Sequence, residues 1–390
     1  MQPASHSHQA ARAETTAFAG LFCVGLYVTS FGPALPFIAR ETDVGLGTAG
    51  IVLTALAGGS ISASTTVSLR LGRIDPSLLT SLGLALCAIG LALIALAGSF
   101  PGVLAGALIV GVGDGLVVAS THALVTIAAE DVPRDINRLN VMFAVGAVIG
   151  PLWTGIALDA TDDLTLAYAG LAAFMALAAV FAWRTPRTAG HGDDHLAIRW
   201  SAALVMMGLV LFFYVGAEFG LGAWVSSYTQ RAAEASVIAG ALVTSGYWGA
   251  LMAGRLLTGG LLRRHSPPVL LAAAISVAGA SGLVLVAVGD VLALAFAAAF
   301  VTGLAFGPIW PLAMAIGARE TTTSSTAAAL VTAGNSGAVV FPAVQGAILA
   351  SVGPRQGVAM TPILCALMLA VLFAHSRARA PSPTPDTIGP

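Results

Sequence analysis

Twelve apolar runs, each of roughly 20 residues or more, follow one another along a chain of 390 residues. That is the length an α-helix needs to cross the hydrocarbon core of a bilayer. The runs lie at roughly 17–39, 48–69, 76–97, 101–127, 139–160, 164–184, 200–226, 236–260, 268–289, 291–316, 324–351 and 357–375. Barrel strands would show alternating segments of about 10 residues, not continuous apolar runs. Only 9% of residues are charged, too few to clothe a soluble fold of this size. An ordinary soluble enzyme, a disordered chain and a nucleic-acid binder are therefore excluded. The expected fold class is an all-α membrane protein: twelve transmembrane helices in two six-helix parallel-repeat bundles.

The basic residues orient the spans. All 17 are Arg. With the N-terminus inside, Arg12, Arg70, Arg73, Arg134, Arg138, Arg184, Arg187, Arg199, Arg255, Arg263, Arg264, Arg319, Arg377 and Arg379 fall on the cytoplasmic side. Arg40, Arg231 and Arg355 fall outside. The positive-inside rule then predicts two cytoplasmic termini. The composition points to a bacterium, so the inner membrane is the expected location. The longest connection, residues 185–199, is polar and separates six spans from six. The expected organisation is a tail over 1–16, a bundle over 17–184, the 185–199 linker, a bundle over 200–375 and a tail over 376–390.

An internal repeat supports the two halves. Gly146-Ala147-Val148, Pro151 and Gly155 in the fifth run match Gly337-Ala338-Val339, Pro342 and Gly346 in the eleventh. Phe31-Gly32 in the first run parallels Phe219-Gly220 in the seventh. Two halves in the same orientation are parallel repeats, an arrangement of transporters. Small residues let helices approach closely in lipid, and proline bends a helix. Static packing and a bending surface both fit these positions. The second reading makes Gly146, Pro151, Gly337 and Pro342 gating residues, with helices 5 and 11 moving against helices 2 and 8.

On these repeats the chain resembles the major facilitator superfamily over essentially its whole length. Within it, the fucose–proton symporter family and its bacterial relatives look most similar. The stretches carrying this are Phe213-Tyr214-Val215-Gly216-Ala217-Glu218 with Gly222 and Trp224, Gly249 with Gly254-Arg255 and Gly259, and Phe306-Gly307-Pro308-Ile309-Trp310-Pro311. The fifth helix, with Asn137, Gly146, Gly150 and Pro151, also fits. The resemblance implies two six-helix bundles around a central cavity that works by alternating access. The chain departs from the family pattern at Arg70-Leu71-Gly72-Arg73-Ile74-Asp75, at His122, at Asn140 and at Asp114.

Few residues inside the spans can carry chemistry. An acid at the bilayer centre costs about 2.5–3.5 kcal/mol on insertion scales. Only Asp114 and Glu218 lie well inside a span, both among glycines, with Glu218 expected in the outer part of the seventh. They are candidate proton-coupling groups, as is His122, the one histidine within a span, although eight helical residues separate it from Asp114. A buried acid bonded to its neighbours is the plainer alternative. Tyr27, Asn140, Tyr214, Glu218, Tyr247, Trp248, Trp310, Asn335 and Gln345 are candidate solute-binding residues. Trp183 and Trp224 read as interface anchors. Arg70, Arg73 and Arg255 read either as anchors or as a cytoplasmic latch pairing with Asp75, Glu130, Asp131 and Asp135.

No catalytic signature, ATP-binding loop, metal spacing or cofactor motif is present. Cys23, Cys87 and Cys365 each sit within an apolar run. The expected function is proton symport of a small polar or amphipathic organic solute. A proton-coupled antiporter exporting drugs or metabolites is the alternative. No enzyme activity, cofactor or nucleic acid is expected. The expected partners are the solute, protons and lipid, and the chain is expected to act as a monomer.

Overall fold

A computed structural model describes residues 3–67, 74–128, 131–186, 201–318 and 324–378. Among these there is no strand, and twelve helices are long and apolar enough to cross a membrane. They are α1 (Pro3–Glu41), α2 (Leu46–Thr66), α3 (Pro76–Leu96), α4 (Phe100–Ala128), α5 (Val132–Thr161) and α6 (Leu164–Trp183) in the first half. The second half holds α7 (Ala202–Ala232), α8 (Val237–Leu261), α9 (Pro267–Val288), α10 (Leu292–Gly317), α11 (Ser324–Ser351) and α12 (Pro354–Ala374). Helix α1 thus begins inside the stretch expected as a tail. Most of the expected linker, together with Arg70, Arg73 and Glu130, lies outside the described residues.

Local chemistry sets the helix starts. Asp75, Asp131, Asp163, Ser201 and Ser236 accept backbone N–H groups two or three residues on. Such caps satisfy donors that a helix leaves unpaired. Large apolar side chains such as Leu96, Leu177, Leu283 and Phe373 point outward, as lipid-facing surfaces require.

The halves pack alike. In the first, α1 lies on α5, α4 lies on α2 and α3, and α3 lies on α6. In the second, α7 lies on α11, α10 lies on α8 and α9, and α9 lies on α12. A hydroxyl pair fastens each half at a matching place: Thr80 to Ser120 at 2.7 Å and Ser281 to Thr302 at 2.8 Å.

Gly146 and Gly337 of the repeat sit at crossings inside each half. A Cβ on Gly146 would stand 2.1 Å from the Phe22 carbonyl oxygen on α1. A Cβ on Gly337 would stand 2.0 Å from the Phe212 carbonyl oxygen on α7. The nearest neighbours of these two positions are backbone of α1 and α7, so each is a tight backbone crossing. Backbone cannot give way as a side-chain tip can. Gly146→Leu and Gly337→Leu are therefore expected to cost at least 1–3 kcal/mol, the range of about an overpacked core. Folded yield and thermal midpoint should both fall. Monodisperse variants with unshifted midpoints would reopen the sliding reading.

Candidate functional site

The structure places the two mid-span acids in different chemical settings. Asp114 lies at the middle of α4. Gly111 and Gly115 bring α4 against the α2 backbone: a Cβ at either would meet the Leu56 or Ser60 carbonyl oxygen at 2.2 Å. That approach carries the Ser60 hydroxyl to 2.5 Å from Asp114 Oδ2. From α1 the Tyr27 hydroxyl donates to Asp114 Oδ1 at 2.6 Å. Both Tyr27 and Asp114 are buried, and among the described residues no ion pair involves Asp114. The carboxyl group is held by hydroxyls alone.

Glu218 lies on α7 with a cation. Arg255 Nη2 donates to Glu218 Oε1 at 3.0 Å, and the Tyr247 hydroxyl donates to the Glu218 carbonyl oxygen at 2.9 Å. Tyr214 stands beside the pair and packs on Phe306 and Trp310, with ring centroids 5.6 and 6.4 Å away. One expectation is corrected: helix α7 extends to Ala232, so Glu218 is central rather than outer. Arg255, expected as an anchor or in a latch that engages in the outward-open state, is here the half-buried partner of Glu218. The acids proposed for that latch have local roles: Asp75 and Asp131 cap helices, and Asp135 lies 3.1 Å from Arg138.

Aromatic and amide groups surround the second site. The Trp248 ring contacts Tyr247, Phe219 and, across the seam between halves, Phe143 at 6.3 Å. Its indole N–H is buried without a hydrogen-bond partner. Gln345 on α11 is fully buried, and neither amide atom has a partner. Gly220 leaves it room, since a Cβ there would meet the amide oxygen at 2.3 Å. An unpaired buried amide costs about 1–3 kcal/mol. Trp310 is half-buried against Gly334, and Asn335 is half-buried beside it on α11. Asn140 gives one N–H to the Ile136 carbonyl at 2.9 Å. His122 turns Nδ1 onto the Val118 carbonyl of its own helix at 2.8 Å, and the structure does not bring it to Asp114.

The halves close on each other at the end of the bundle distant from the chain termini. There Gly47 of α2 abuts α11, where a Cβ would lie 3.2 Å from Ala350 Cβ. Thr54 donates to the Val339 carbonyl at 2.9 Å. Gly32 faces the Ala223 carbonyl, and Gly155 faces Ala241. Trp224, expected at a membrane interface, is instead fully buried in this seam. Its N–H donates to the Pro342 carbonyl at 2.7 Å, and its ring lies on Gly346 and on Gly50 of the other half. Only the small residues Gly50 and Gly346 hinted at this in the sequence. Pro151 and Pro342 lie within α5 and α11, the two helices that meet α8 and α2 across the seam. A Cβ on Gly50 would lie 2.7 Å from the Trp224 ring. Gly50→Val is therefore expected to pry the seam apart. Spin labels at Asp43 and Val352 should shift to longer distances, and an unchanged distribution would show that the seam absorbs the valine.

Comparison with known proteins agrees with this architecture. The profile of the Major Facilitator Superfamily matches residues 17–336. A search of curated protein sequences finds no match. Among solved structures, a bacterial homolog of the human lysosomal transporter Spinster, inward-facing and unoccupied, superposes with a TM-score of 0.76 at 14% identity. That match covers 98% of this chain and 100% of the other. The same homolog in an inward-facing, occupied conformation gives 0.75 at 15% identity over 97% and 99% of the chains. A variant of the nucleoside transporter NupG gives 0.75 at 11% identity over 95% and 100%. At these identities the likeness is one of fold.

Proposed function

The chain belongs to the major facilitator superfamily, and on that premise we propose that it moves a small polar or amphipathic organic solute together with a proton by alternating access. The contrast between its two acids carries this reading. A buried carboxylate without a cation gains most from taking up a proton, because its charged form has the least compensation. Asp114 is that group. Glu218, neutralised by Arg255, is the fixed acid, and it orients the solute site. Tyr27, whose hydroxyl bonds Asp114, links the proton site to α1. His122 has no part in this reading.

The solute lies against Tyr214, Tyr247, Trp248 and Trp310, with the amides of Asn140, Asn335 and Gln345 supplying polar contacts. The unpaired Gln345 amide and Trp248 indole support this, since a solute would satisfy them. The fucose–symporter likeness supports proton symport, and the polar groups are few for a sugar. Closure of the distal seam corresponds to the state open toward the termini. Pro151 and Pro342 lie in the helices whose packing must change in the opposite state. Arg70 and Arg73 remain proposed elements of the cytoplasmic gate.

In this reading the protein is a monomer in a bacterial inner membrane, with both termini in the cytoplasm. The arginine distribution supports it. Two of the three arginines assigned outside are also matched by acids: Arg40 to Asp162 at 2.8 Å and Arg355 to Asp290 at 3.4 Å. Single cysteines at Ser99 and Asp162 should label from outside intact cells, and one at Gly190 should not. External labelling of Gly190 would reverse the orientation. The function is tested by screening solutes for thermal stabilisation, since a native-state ligand raises stability by mass action. Hits are then assayed in proteoliposomes carrying a pH dye. Uptake without proton movement would refute coupling.

A further inference from the structure

We infer that the Glu218–Arg255 pair is a receptor for the carboxylate of a monoanionic organic acid. This deepens the transport reading and rests on it. Among the described residues three charged groups lie at mid-bundle, and two of them are sealed. Asp114 lies beneath Tyr27 and Ser60, and the Glu218 side chain is 4% exposed. Arg255 is the reachable one, with its side chain 22% exposed. It also keeps an unused donor. Nη2 serves Glu218, while Nε is buried without a hydrogen-bond partner.

Arg255 lies at a place where the halves meet. Arg255 lines a crevice between α5 and α8 together with Asn137 and Asn140. Its volume of about 10 Å³ has room for a single oxygen of water size. Asn140 spends one donor on Ile136 and has a second hydrogen to give. Arginine and asparagine side chains lining one oxygen-sized space favour an oxyanion, and the guanidinium charge attracts a carboxylate. A cationic solute would meet Arg255 before either acid. A dianion would bring a second charge that no further cation in the described bundle could balance. Val141, Ala144, Met252 and Leu256, which also line the crevice, supply apolar surface for the rest of the molecule.

Coupling to Asp114 then has a defined charge balance. The empty cavity with ionised Asp114 carries one net negative charge, because Glu218 and Arg255 cancel. The loaded cavity, with Asp114 protonated and the anion bound, carries the same charge. The cycle moves one proton and one anion together and no net charge. Accumulation therefore follows the pH gradient and ignores the membrane potential.

The test uses purified protein with acetate, benzoate and octanoate, against benzamide and benzylammonium at equal ionic strength. At least one carboxylate should raise the thermal midpoint at concentrations where benzamide and benzylammonium do not. Arg255→Lys should weaken its apparent affinity tenfold or more, and so should Asn140→Leu, which leaves the Glu218 pair whole. The inference fails if no carboxylate stabilises, if the neutral or cationic analogue does so equally, or if both variants keep the wild-type affinity. Proteoliposomes separate this failure from that of proton coupling. A carboxylate that binds and moves without protons removes the coupling and keeps the receptor. Protons moving with a neutral solute, while carboxylates do nothing, remove the receptor and keep the coupling. Uptake that responds to a potassium diffusion potential overturns the charge balance.

Discussion

Asp114→Asn is expected to abolish proton-driven accumulation and to leave solute exchange in place. The amide imitates the protonated carboxyl in charge, so the variant is held in the loaded-proton form. Its amide oxygen can still accept from one of the two hydroxyls, while its NH2 can donate to the oxygen of the other. One pH unit is worth about 1.4 kcal/mol, which supports roughly tenfold accumulation per proton. The wild type should approach that ratio when the pH gradient is imposed across proteoliposomes. The variant should stay near equal concentrations on both sides, yet exchange labelled for unlabelled solute at a comparable rate. Uphill accumulation by Asp114→Asn, with acidification inside, would transfer the proton role to Glu218. A neutral solute would add voltage to the driving force, about 2.3 kcal/mol per 100 mV, so the same vesicles report the charge carried.

The second large effect concerns stability. Arg255→Leu removes one member of a buried pair and leaves Glu218 uncompensated inside the bundle. Breaking such a pair from one side costs about 3–5 kcal/mol, because a charge stays buried alone. Replacing both members with apolar residues of similar size avoids that cost, so Glu218→Leu combined with Arg255→Met should regain most of the loss. Thermal midpoints of purified protein in one detergent would read the wild type and the two variants side by side. If the double variant is as unstable as the single, packing of the Arg255 stem explains the loss, not charge. The double variant should transport nothing in either case, since the proposed solute anchor is gone.

The architecture was legible because lipid imposes a simple code. Twelve apolar lengths gave twelve helices, and the repeated glycine–proline spacing gave two matching halves. Asp114 and Glu218 stood out for the same reason, as each breaks a run in which charge is costly. Their partners were not legible. Ser60 reaches Asp114 through the close approach that Gly111 and Gly115 allow between α4 and α2. Arg255 looked like a surface anchor because it lies five residues before the end of the expected eighth run. The longer α7 and the antiparallel return of α8 bring it level with Glu218. Trp224 was misplaced because aromatic residues near a run's end are common at interfaces. Its ring is drawn inward by Gly50 and Gly346, which are distant in sequence. Gly146 and Gly337 were recognised as special, but their neighbours on α1 and α7 were not predicted. Helix depth and facing depend on tertiary packing, which period and composition do not encode.

The pairing of Glu218 with Arg255 also bears on how the chain enters the bilayer. The two residues lie on adjacent antiparallel helices joined by a short turn, so they face each other as soon as α7 and α8 exist as a hairpin. A charge at the centre of a lone helix costs about 2.5–3.5 kcal/mol on insertion scales; Glu218 sits at that depth in α7, and Arg255, six residues from the end of α8, bears part of such a penalty. Delivered together, the pair enters as one neutral unit. The hairpin, not the single helix, is then the unit of membrane insertion at this point of synthesis. The charged centre of the mature protein is assembled before the last four helices emerge.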